Sequence, residues 1–128
     1  MTRPLDAPPD RLGDEGSGTV NSLGLIALAI TLSLLLAGVG AARTAAVRMQ
    51  AVADLAALAG AERSATSPGE DVGAAPCDAA ASVAAANRVG VESCEVLGSD
   101  CRVVVSEFVR IMGVSVEIRA KARAGQEQ

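Results

Sequence analysis

Three cysteines, Cys77, Cys94 and Cys101, are the most reactive side chains in this chain of 128 residues. Cysteine catalysis needs a neighbouring base, and the chain contains no histidine to supply one. Cys94 and Cys101 are too far apart in sequence for a Cys-x-x-Cys redox pair, and three thiols without histidine make a poor zinc site. The sequence therefore assigns no catalytic residue, no metal and no cofactor. What remains is disulfide chemistry, and two pairings are open. Cys77–Cys94 would tie a helix to a strand, and Cys94–Cys101 would cross a hairpin. The odd thiol would be buried or available for an intermolecular bond. All three would stay reduced in a cytoplasmic domain.

The elements that carry these thiols are built from small side chains. Half of the residues are apolar, but Phe108 is the only aromatic. Alanine and valine bury little area each, so any core outside a membrane is marginal by itself. The formal net charge is -4. No basic run interleaved with aromatics appears, which argues against nucleic acid as a partner.

The run Val20–Ala42 contains no charged residue. As a helix it would be about 34 Å long, enough to cross a hydrocarbon core of about 30 Å. Lipid can cover every face of such a helix, so a bilayer is the expected partner. Ala29, Ser33, Ala37 and Ala41 recur every four residues and would let a second helix approach closely. The helix should continue through Arg43–Arg63, which lacks proline. There Val47, Ala51, Leu55 and Leu58 form the expected apolar stripe, with Arg48, Gln50, Asp54 and Glu62 as polar interruptions.

Residues 1–16 hold Pro4, Pro8, Pro9 and four acids and read as a disordered leader. Arg3 and Arg11 before the run nearly balance Arg43 and Arg48 after it, so charge counting does not set orientation. A secretory signal cut after Ala41 fits the small-x-small rule at Val39 and Ala41. Its leader, however, would be acidic where such signals are basic.

Residues 64–76 are rich in glycine, proline and serine and read as a loop. Asp78–Arg88 reads as a short helix ended by Gly90. Val91–Leu97 and Val103–Val109 read as strands. Val114, Val116, Ile118, Ala120 and Ala122 alternate with polar residues, which predicts a third, half-buried strand. Turns fall at Gly98–Asp100 and Met112-Gly113. The expected fold class is α+β: a long helix, a short helix and a small three-stranded antiparallel sheet. The expected division is a leader (1–16), a transmembrane helix with its extension (17–63), a loop (64–76), a head (77–124) and a tail (125–128).

Two segments resemble a known family. Gly16, Ser17, Gly18, Thr19, Val20 and Asn21 lead directly into the apolar run, as in the class III signals of type IV prepilins. Gln50 to Ala59, with Ala53, Asp54, Ala56, Ala57, Leu58 and Ala59, is similar to a recurrent segment of TadE and TadG-like proteins of Flp-type pilus systems. The resemblance implies a pilin-like fold and a single-pass membrane protein with a cytoplasmic amino terminus and an extracytoplasmic head. It implies a prepilin peptidase that cuts after Gly16 and leaves Ser17 as the new terminus, with the helix retained. Other pilin-like subunits would be partners, with an oligomer as the product. Typical members carry glutamate five residues after the cut, where this chain has Asn21. Small actinobacterial TadE-like proteins carry cysteines matching Cys77 and Cys94, with Ala85, Ala86 and Asn87 between, so the resemblance implies the Cys77–Cys94 pairing. The implied function is that of a minor pilin or pseudopilin in a pilus or related secretion apparatus. The alternatives are a secreted disulfide-stapled protein, or a membrane-anchored adaptor that joins no filament.

Overall fold

The computed structural model describes residues 2, 16–66 and 73–125. The expected leader, the middle of the expected loop and the end of the tail lie mostly outside the described residues. Helix α1 spans Ser17–Ala65 and helix α2 spans Ala75–Ala86. Strands β1 (Gly90–Leu97), β2 (Asp100–Ile111) and β3 (Val114–Ala124) form an antiparallel sheet in the order β1-β2-β3. The expected α+β class is what the structure shows. By internal contacts the chain forms two compact units, one ending at Ala37 and the other beginning at Gly38.

In the first unit every described side chain from Gly18 to Ala37 is exposed. The hydroxyls of Ser22, Thr31 and Ser33 each donate to the carbonyl four residues back, at 2.8 Å. These polar groups are thus satisfied within the helix, as an apolar solvent requires.

In the second unit α1 and α2 cover one face of the sheet. The core is Met49, Val52, Ala53, Ala56, Ala57 and Ala61 of α1, Ala80 and Ala84 of α2, and Val89, Cys101, Val103, Val105 and Ala120. The apolar stripe read from spacing lies about half a turn away from this core, on the exposed side of α1. Val47, Leu55 and Leu58 are 66%, 54% and 52% exposed, while Ala53, Ala56 and Ala57 are fully covered. Around Gly60 the inward side chains are small because the backbones approach closely, while Met49 and Val52 are buried farther along the same face. A Cβ added at Gly60 would lie 2.4 Å from Cys101 Sγ and 3.1 Å from the Pro76 carbonyl oxygen. Leucine on this face would hold the layers apart.

Pro76, expected in a loop, lies in the first turn of α2, where its missing N–H leaves no helical bond unmade. Gly90 does not end α2. Arg88 takes the left-handed position (φ 62°). Its N–H donates to the Ala85 carbonyl at 3.0 Å and the Val89 N–H donates to the Ala84 carbonyl at 2.9 Å. This is a Schellman motif, with Val89 5% exposed as its apolar seal. Gly90 instead opens β1 opposite Ser106. The third strand forms as expected, but its inner face is buried only in part: Val114 is 63% and Val116 41% exposed, against 9% for Ala120.

Gly60→Ala should destabilise the second unit by about 1–3 kcal/mol through overpacking, outweighing a helix-propensity gain of about 1 kcal/mol. Gly40→Ala, with no atom within 4 Å of the added Cβ, is the control and should not destabilise. Arg88→Gly should stabilise by about 0.5–1 kcal/mol by relieving the left-handed strain. Urea unfolding of the detergent-solubilised chain, followed by circular dichroism, reads all three.

Candidate functional site

The surface that could act is the outside of α1. The helix is long and apolar enough to cross a membrane: its most apolar 18-residue window has mean hydropathy 2.4, with none of it buried. Ala29, Ser33, Ala37 and Ala41 are all exposed. Gly16 forms the turn that leads into α1, which begins at Ser17. Asn21 is an exposed residue of the second helical turn.

The segment Gln50–Ala59 has two faces. Ala53, Ala56 and Ala57 are covered, whereas Asp54, Leu55 and Leu58 face out. Gln50 Nε2 donates to Asp54 Oδ1 at 2.9 Å and to the Lys121 carbonyl at 3.2 Å, joining α1 to β3. Arg48, read from sequence as a mere polar interruption, joins three elements. Its Nη2 donates to the Asn87 carbonyl at the end of α2 at 2.8 Å, and its Nη1 lies 3.3 Å from Glu107 Oε2 on β2. The carbonyl end of α2 favours that cation. The exposed ion pair itself contributes at most about 1 kcal/mol. Neither role carries a local sequence signal, because both depend on a helix meeting strands far along the chain.

The thiols meet where α2, β1 and β2 converge. Cys77 at the start of α2 is bonded to Cys94 on β1, at 2.03 Å between sulfurs. Cys101 is free and wholly buried, with its Sγ 4.0 Å from that of Cys94. Burial pushes the Cys101 thiol above its ordinary range, so it stays protonated and unreactive near neutral pH. Among the described residues no group of three His, Cys, Asp or Glu could hold a metal ion.

Cys94→Ser should cost about 3 kcal/mol in unfolding free energy, from a bond that closes 17 residues of separation. Cys101 should resist maleimide labelling in the folded protein and react fully in urea. Urea unfolding reads the first, and labelling followed by peptide mapping without reductant reads the second.

Comparison with known proteins agrees with this geometry. Nothing matches significantly among curated proteins or among solved structures. The Flp pilus-assembly TadE/G-like family model matches residues 16–64. That match begins at the turn before α1 and ends one residue before the helix does. Residues 16–64 of the chain are thus similar to the TadE/G-like family of Flp pilus assembly.

Proposed function

We propose that the protein is a minor pilin-like subunit: anchored in the membrane by α1, cut after Gly16, and packed against other pilin-like subunits. The family segment and the apolar helix together fit a membrane-associated Flp pilus-assembly protein. One observation carries the finer reading. The matched segment is a single helix whose first part is apolar all round and whose second part buries alanines on one side and exposes leucines on the other.

In this reading the helix is retained for life, and it is continuous through Ala41-Ala42, where a secretory cut would fall. A prepilin peptidase would act between Gly16 and Ser17. The head would lie outside the cytoplasm, in keeping with a Cys77–Cys94 bond that needs an oxidising compartment. Small residues at Ala29, Ser33, Ala37 and Ala41 would admit a neighbouring helix, and Val47, Leu55 and Leu58 would continue as a contact surface beyond the membrane. The protein would work by packing and would carry out no reaction. Asn21 favours a second reading, an anchored adaptor that joins no filament, because an amide pairs with a terminal amine less strongly than a carboxylate does.

Intact-mass measurement of the protein purified from membranes of peptidase-bearing cells should give a terminus at Ser17, and Gly16→Leu should leave the leader attached. A terminus at Ala42 with export in soluble form would overturn the reading. A photo-crosslinker at Leu58 should capture pilin-like subunits, whereas capture of unrelated envelope proteins would establish the adaptor.

A further inference from the structure

The turn between β2 and β3 is unlike the rest of the head surface. From Ile111 to Val116 there is no charged residue. Met112 is 62% and Val114 63% exposed. Met112 and Gly113 both have positive φ, 51° and 83°, and close a two-residue hairpin between the paired Ile111 and Val114. Asparagine, aspartate or glycine is the usual first residue of such a turn. Methionine there bears left-handed strain, so the tip is apolar against the local backbone preference.

The tip also has a fixed level along the second-unit part of α1. Gly38 makes room for Met112, since a Cβ at Gly38 would lie 2.8 Å from Met112 Sδ. Gly38 belongs to the uncharged run that ends at Ala42. The five steps from Gly38 to Arg43 amount to about 7.5 Å at about 1.5 Å per residue. The two steps from Met112 back to Arg110 amount to about 7 Å along a strand. Arg43 and Arg110 are therefore at a similar level, and among the described residues neither is in an ion pair. Two such cations at the height where the apolar residues end suit lipid phosphates.

We propose that the β2–β3 hairpin tip, through Ile111, Met112 and Val114, inserts into the interfacial layer of the bilayer that surrounds α1. The head would then have a second membrane contact, which would limit its rotation about the helix. Insertion by about 7 Å falls in the range of roughly 5–10 Å known for interfacial apolar segments. The ladder is closed up to Ile111 and Val114, so only the turn's own backbone groups need partners, and the headgroup region supplies water. The inference rests on the membrane reading proposed above.

The chain has no tryptophan, so one introduced at a time reports its own depth. Full-length Leu28→Trp, Val114→Trp and Leu58→Trp variants would be reconstituted in phosphatidylcholine–phosphatidylglycerol vesicles with and without brominated acyl chains. Val114→Trp should emit to the blue of Leu58→Trp and be quenched at least about half as strongly as Leu28→Trp, as interfacial depth requires, and Leu58→Trp should be little quenched. Quenching of Leu28→Trp without quenching of Val114→Trp overturns the hairpin contact and leaves the anchor standing. A blue-shifted, unquenched Val114→Trp whose emission depends on protein concentration overturns it in favour of self-association. Loss of quenching at Leu28→Trp removes the membrane reading itself. Far-ultraviolet circular dichroism of each variant verifies the fold.

Discussion

The close approach of α1 to the sheet is the constraint on which the head depends. At Gly60 there is no space for a methyl group between the helix, Cys101 and the Pro76 carbonyl. Alanine and glycine allow that approach around Gly60, at Ala53, Ala56, Ala57 and Gly60, while Met49 and Val52 are buried farther along the same face. A layer this thin buries little area per residue, so hydrophobic burial alone gives the head little stability. The other fastenings follow from that. A disulfide ties α2 to β1, Arg48 joins the end of α2 and β2 to α1, and Gln50 holds the backbone of β3.

The same constraint explains why large apolar side chains end up outside. Val47, Leu55 and Leu58 lie on the side of α1 opposite its buried face and remain exposed. In an isolated soluble domain of this size such residues would be a liability. In the proposed reading they would be the surface that neighbouring subunits cover.

The residues that could react are placed so that they do not. Cys77 and Cys94 are consumed by each other, and the one free thiol lies in the core, where burial raises its pKa. The Cys77–Cys94 bond holds the head together. Its surface properties follow from shape and polarity: an exposed helix with its hydroxyls internally bonded, and a hairpin whose charges stop short of its tip.

The sequence by itself determined the elements. An uncharged run must be a helix in lipid, period-two alternation must be a strand, and Met112-Gly113 between two strands must be a tight turn. The tertiary structure decided which way those elements face. A helix so rich in alanine has no unique apolar side, so spacing favoured the larger residues, and only the fit against β2 showed that the smaller ones face inward. Likewise Gly90 was the natural stop for α2, yet Arg88 took the left-handed position because Val89 had to reach the core. The bonds of Arg48 and Gln50 join residues remote in the chain, and no local pattern encodes them. Periodicity records what each residue prefers, whereas packing records how near two backbones can come.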